Sequence, residues 1–159
     1  MSASQGRRTT VPPRFVFRAL WALHRAGYAI TGGRLGLRTG GDQRVGTLRL
    51  RTTGRRSGRE RAVMLNYLPV GEAYAVVASN AGASEPPAWW RNLQARPRAM
   101  VDLPSRSLPV RAREADGHER ELLWRRFVEQ TAAYEQYAAT AERVIPIVIL
   151  EPTDEEADA

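Results

Sequence analysis

VGTLRLRTTGRRSGRERAVMLNY, residues 45–67, decides the fold class because its pattern reverses around a basic turn. Val45, Thr47, Arg49, Arg51 and Thr53 alternate with Gly46, Leu48, Leu50 and Thr52. That period of two is the signature of a strand with one face inward. Gly54 and Gly58 frame a turn, and Arg61 to Tyr67 return as a second strand. The spacing predicts a β-hairpin with a five-residue basic tip. Six arginines fall between residues 49 and 61. Their flanks are apolar and β-like, which argues against a disordered basic tail.

Downstream, Gly71-Glu72 turns the chain again, and Ala73 to Ser79 reads as a third, mostly buried strand. Small residues follow, Asn80 to Ser84. Pro86-Pro87 opens a short helix, Ala88 to Arg96, which Pro97 closes. Ala99 to Leu103 and Leu108 to Arg113 are expected strands joined at Pro104-Ser105. Asp116 is positioned to cap a helix over Gly117 to Thr131, with Leu122, Leu123, Phe127 and Val128 inward. A further short helix carries Tyr134 and Tyr137. Val144 to Leu150 is the last strand, and Pro146 argues for an edge or a bulge there.

Upstream, Pro12-Pro13 can start a helix in which Arg14, Arg18 and Arg25 share one stripe. Phe15, Ala19, Leu20, Leu23 and Ala26 fill the opposing face. Such a helix packs on the domain or rests on a lipid surface. The order of elements lacks the βαβ alternation of a parallel sheet. A mainly antiparallel α+β fold is expected, its strands closed into a small barrel with helices outside. The expected organisation is a polar N-terminus and amphipathic helix over 1–29, a barrel domain over 30–152 and an acidic tail over 153–159.

A chain of 159 residues with 43% hydrophobic content suits one domain. It contains no cysteine, which removes disulfides, thiolate metal sites and cysteine nucleophiles. His24 and His118 stand far apart, in contexts that argue against a zinc site or a histidine triad. Every basic residue is arginine. Residues 1–61 hold 14 arginines against Asp42 and Glu60, a balance of +12; residues 62–159 balance at −5. Partners of negative charge follow: nucleic acid, an acidic lipid surface or an anionic cofactor. No apolar run reaches the roughly 20 residues of a membrane span. Arg18 and Arg25 interrupt the apolar stretch from Phe15 to Ala29, so it is read as retained rather than as a signal peptide. A cytoplasmic protein is expected, able to touch the inner face of a membrane.

Three groups could carry chemistry. Arg55, Arg56, Ser57 and Gly58 offer guanidinium forks, a hydroxyl and open N–H groups, with Arg61 returning beside them. They suit phosphate or carboxylate, or form a solvated turn. Trp89 and Trp90 cannot both face inward on one helix, so one is expected in the core and one in a cleft. Tyr134 and Tyr137, three residues apart on one face, either cover a bound ring or form a rim.

The runs TTGRRSGRERAVML, AVVASNAG, PPAWWRNLQARP and RVIPIVILEP occur in that order. With them, roughly residues 30 to 152 resemble the deazaflavin-dependent nitroreductase and quinone reductase family, whose members bind coenzyme F420 on a split β-barrel. The resemblance implies an oxidoreductase that passes a hydride from the reduced deazaflavin to a quinone, an enone or a nitroaromatic. It implies that Arg55, Arg56 and Ser57, with Arg61 beside them, hold the cofactor's phosphate or oligoglutamate tail. Val63, Met64, Leu65 and Asn66 would line the deazaflavin. Ala78, Ser79 and Asn80 would hydrogen-bond its ring and side chain, and Trp89 and Asn92 would complete the pocket. Tyr134 matches a tyrosine lying against cofactor and substrate, and Tyr137 a neighbouring one. Ser79 or Tyr134 would stabilise charge on the acceptor oxygen. Some members carry tyrosine where this chain has Asn66 and Thr131, so the acceptor side departs from the pattern.

Two other classes compete. A split barrel holding FMN needs a phosphate cradle but no partner for a polyglutamate tail. A nucleic-acid module would explain the basic N-terminal half, but the aromatics are not interleaved with the arginines as stacking platforms, so no nucleic acid is expected. Homodimer formation is compatible with a barrel of this kind.

Overall fold

The alternation around the basic turn becomes two long paired strands. In β1 (Gly46–Thr53), Gly46, Leu48, Leu50 and Thr52 are buried while their neighbours are half-exposed. It pairs antiparallel with β2 (Glu60–Val70), from Gly46 opposite Tyr67 to Thr53 opposite Glu60. The computed structural model describes residues 34–154. The helix expected upstream, with Arg14, Arg18 and Arg25, lies outside them, as does most of the acidic tail.

Four more strands complete the sheet: β3 (Ala73–Val77), β4 (Arg98–Asp102), β5 (Ser107–Glu114) and β6 (Ile147–Pro152). They close in the order β1-β2-β3-β6-β5-β4, every pair antiparallel. This is the closed antiparallel barrel that the strand pattern implies, and the split-barrel α+β architecture that the family resemblance implies. The helices are α1 (Ala88–Ala95), α2 (Gly117–Gln130) and α3 (Ala133–Ala141).

Strand alternation sends side chains to two cores. Leu48, Leu50, Tyr67, Val76, Val101, Val110, Val148 and Leu150 fill the barrel, joined by Leu93 of α1 and, against the expectation that one would leave the core, by both Trp89 and Trp90. Leu68, Ala75, Val77, Ile147 and Ile149 face outward and are covered by Leu123, Phe127 and Tyr134 of α2 and α3. Phe127 is fully buried there. A side chain of that size gains about 1.5–3 kcal/mol on burial, so α2 is held by its packed face.

Several expectations need correction. The last strand has no edge: β6 pairs with β3 on one side and β5 on the other. Pro146 stands just before it, where its missing N–H costs nothing. Its carbonyl accepts the Ala78 N–H at 2.9 Å. Pro146 has no N–H to return, and β3 stops at Val77 rather than Ser79. Leu122 is 44% exposed, not inward, because its neighbour Leu123 takes the buried direction on α2. Asp116 occupies the N-cap position of α2, but its side chain makes no capping bond.

Candidate functional site

The hairpin tip is built by backbone bonds before any side chain acts. Gly54 N–H donates to the Arg59 carbonyl and Gly58 N–H to the Gly54 carbonyl, both at 2.8 Å. Gly58 takes φ +67, a conformation glycine adopts without penalty. A Cβ on Gly54 would stand 2.8 Å from Ser57 Oγ and 3.1 Å from the Arg59 carbonyl oxygen, so the tip closes tightly around this glycine. Asn92, 4% exposed on α1, then ties the tip to the barrel. Its Oδ1 accepts from the Arg55 backbone N–H at 3.1 Å and from Arg55 Nη1 at 3.4 Å, and its Nδ2 donates to Thr52 Oγ1 at 3.1 Å.

Closure of the barrel divides the basic run in two. Arg49 and Arg51 lie against the buried Asp102, at 3.7 and 3.0 Å, and Arg51 also reaches Glu60 at 3.1 Å. Arg55, Arg56 and Arg61 instead face a cavity of about 690 Å³. Among the described residues fifteen line it, and none of these is a carboxylate. Val63 and Leu65 of β2 and Trp89 of α1 give it apolar walls, and Ser79, Asn80 and Ala81 form another side. Guanidinium groups, a serine hydroxyl and an apolar aromatic wall suit an anionic ligand with a flat ring.

The structure therefore gathers Arg55, Arg56, Ser57, Arg61, Val63, Leu65, Ser79, Asn80, Trp89 and Asn92 around one cavity. It does not bring the other five site candidates to the lining. Met64 and Asn66 alternate with Val63 and Leu65, and a strand cannot point four consecutive side chains one way. Ala78 is fully buried behind the wall. Tyr134 is buried among the rings of Phe127, Tyr137 and Trp124, with centroids 5.4, 6.1 and 6.5 Å away. Burial raises the Tyr134 phenol above its ordinary pKa, a hydrogen bond with the Asn66 side chain opposes this, and Tyr137 adds to the rise. Thr131 ends α2 and is exposed.

Tyr137 nevertheless abuts the cavity wall. Ser79 leads into a 3-10 turn, Asn80–Gly82, in which Asn80 and Ala81 have φ 48 and 51. A Cβ on Gly82 would lie 3.1 Å from Tyr137 Cα. The turn is thus seated directly on α3. Sequence reasoning omitted Gly54, Ala62, Ala81, Pro87 and Ala88 from the lining. These are small or ring-closed residues whose part is to let backbone approach, and the only signal for them was the glycine and proline punctuation itself.

A closed antiparallel barrel with a cationic, aromatic-walled cavity is a setting for an anionic ligand that carries a flat ring. The family model for F420H(2)-dependent quinone reductase matches residues 21–152. An F420H(2)-dependent quinone reductase of Mycobacterium tuberculosis is 34% identical over 140 residues, covering 86% of this chain and 93% of the relative. A solved F420-H2 dependent reductase superposes with TM-score 0.60 at 37% identity, over 66% of this chain and 93% of that one. Another solved structure, described as a domain-swapped dimer, gives TM-score 0.65 at 31% identity, over 84% and 99%. The chain belongs to the F420H(2)-dependent quinone reductase family, and its cofactor is coenzyme F420.

Proposed function

We propose that this protein reduces a quinone with reduced coenzyme F420, bound in the cavity between the hairpin tip, α1 and the turn at Ser79. The observation that carries this reading is the set of three arginines facing an apolar-walled cavity, with no carboxylate among the described residues that line it. Arg55, Arg56, Ser57 and Arg61 bind the phosphate and glutamate tail of the coenzyme through charge-assisted bonds. Val63, Leu65 and Trp89 pack against its ring, and Ser79 and Asn80 supply hydrogen bonds.

When bound, reduced coenzyme F420 supplies a hydride to an electrophilic carbon. The chain's part is to orient and to stabilise charge. Ser79 lines the cavity and is the hydroxyl that meets charge developing on the acceptor oxygen. Tyr134 acts from behind the wall, with Asn66 holding its phenol. Met64 and Ala78 serve as backing for the lining residues. The family description favours a quinone acceptor. Enones and nitroaromatics belong in the same acceptor panel, because Asn66 and Thr131 alter the acceptor side.

Titration with coenzyme F420 tests the reading, and the absorbance of the bound species distinguishes a deazaflavin from FMN. Arg56→Ala and Arg61→Ala are each expected to weaken binding by roughly 1–3 kcal/mol, more for the oligoglutamate form than for a tail-less analogue. Unchanged affinity in both variants would remove the clamp. Tyr134→Phe is expected to lower turnover and leave cofactor affinity near normal; equal turnover would reduce the ring to packing. The domain-swapped relative also favours pairing of this chain, which sedimentation would measure. We infer too that the basic N-terminal segment draws the protein to anionic membrane, where lipophilic quinones reside.

A further inference from the structure

Arg143 stands two residues beyond α3, next to Glu142 with φ 53. Its Nη2 donates to the carbonyls of Ala78 and Ser79, each at 3.2 Å, and its Nε donates to the carbonyl of Ala83 at 3.2 Å. The Glu85 carbonyl lies at the edge of reach, 3.5 Å from Nη2. Among the described residues no carboxylate pairs with Arg143, and its Nη1 is buried without a partner. Among the described residues its charge is therefore answered by backbone oxygens.

Those oxygens all belong to one segment, which has reason to need holding. After β3 it loses its strand partner at Pro146. It then runs through left-handed backbone at Asn80, Ala81 and Gly82, a conformation costly for residues with a Cβ. Left-handed non-glycine residues persist only where their surroundings over-determine them. Here Tyr137 presses on Gly82 from α3, and Arg143 gathers the carbonyls on either side of the turn. A planar fork can reach several carbonyls at once, which a lysine ammonium on its flexible stem does less well. A trans peptide turns its N–H opposite to its C=O, so the N–H groups of Ser79 and Asn80 point away from the arginine.

We propose that Arg143 is a positioning residue of the cavity. It fastens the segment Ala78–Glu85 to the end of α3, and so holds Ser79 and Asn80 in the geometry with which they meet a ligand. It does not line the cavity itself. The device joins the wall to the helix of Tyr134 and Tyr137, so the cofactor side and the tyrosine side keep a fixed relation.

The experiment compares Arg143→Ala and Arg143→Lys with the full-length wild type. Arg126→Gln serves as control, since Arg126 also donates to carbonyls, those of Asp42 and Pro69, but elsewhere. Amide exchange is read at Gly82 and Ala83, whose N–H groups bond to Ser79 and Asn80 carbonyls at 3.0 and 3.1 Å. It is read without cofactor. Coenzyme F420 affinity is read separately and rests on the function proposed above. In Arg143→Ala, exchange at both amides is expected to accelerate roughly tenfold or more, with barrel amides at Leu48 and Leu50 unchanged. Affinity should fall roughly tenfold, and Arg143→Lys should lie between. Unchanged exchange overturns the proposal. So does faster exchange with wild-type affinity, because the arginine would then brace a loop without serving the cavity. If the alanine variant does not fold, the lysine variant decides by the same two readings. A wild type that binds no coenzyme F420 would sink the functional reading instead, and the exchange comparison would still decide whether Arg143 fastens the segment.

Discussion

At the scale of single residues, Asn92 shows how a polar group buried at 4% exposure can be worth its desolvation. Both ends of its amide are engaged: Oδ1 accepts from Arg55, and Nδ2 donates to Thr52, itself buried at 3%. Replacing it by leucine removes these bonds and leaves Thr52 Oγ1 and the Arg55 N–H without their partner. Each orphaned buried group costs about 1–3 kcal/mol, which exceeds what the extra apolar surface returns. Asn92→Leu is expected to lower the urea midpoint and to weaken coenzyme binding, since Arg55 loses its anchor. A variant as stable as wild type with intact affinity would show that α1 holds the tip by packing alone. Asn92 was legible in the sequence as a pocket residue but not as the fastener of the hairpin. That role depends on α1 folding back over β1, a contact separated by about forty residues along the chain.

At the scale of elements, Arg113 of β5 joins three of them. Its guanidinium grips Glu119 of α2 through two bonds of 2.6 and 2.9 Å and Glu151 of β6 through one of 2.6 Å. The hydrogen bond from Arg113 holds the Glu119 carboxyl below the ordinary glutamate range, against the opposing effect of burial. A depressed carboxylate contributes stability above its unfolded pKa and loses it as pH falls through its folded pKa. Denaturant midpoints should therefore decline on acidification through the carboxylate range, and Glu119→Gln should flatten that part of the profile. An identical profile in the variant would assign the pair no role, as is common for exposed ion pairs. The elements themselves were largely legible, because period-two alternation and proline punctuation are local signals. Pairing was not. Pro146 reads as an edge residue until closure gives β6 two neighbours. Likewise, a continuous lining from Val63 to Asn66 ignores the alternation that splits it across two faces. The arginine run reads as one patch, although closure brings Asp102 of β4 against Arg49 and Arg51 and leaves Arg55, Arg56 and Arg61 to the cavity.

At the scale of the whole molecule, charge is the property that sequence states most completely and the barrel uses only in part. Residues 1–61 carry +12, and within the barrel part of that charge is neutralised by Asp102 of β4, which lies outside that stretch. Four arginines, Arg7, Arg8, Arg14 and Arg18, precede the region matched by the family model at residue 21. No helix among the described residues is long and apolar enough to cross a membrane. Each arginine near an anionic surface contributes about 1 kcal/mol, fading within a Debye length of roughly 8 Å at physiological salt. Four such residues are expected to give binding that is measurable at low salt and reversed at high salt. The full chain is expected to co-sediment with phosphatidylserine vesicles at low ionic strength and to leave neutral ones in the supernatant. Changing Arg7, Arg8, Arg14 and Arg18 to glutamine together should abolish that binding while leaving coenzyme affinity intact, because the cavity arginines are untouched. The same variant should reduce long-tailed quinones in vesicles more slowly, and short-chain quinones in solution at the wild-type rate. If the wild-type chain ignores anionic vesicles at low salt, the N-terminal charge has no membrane role, and access of the acceptor must be governed by the cavity alone.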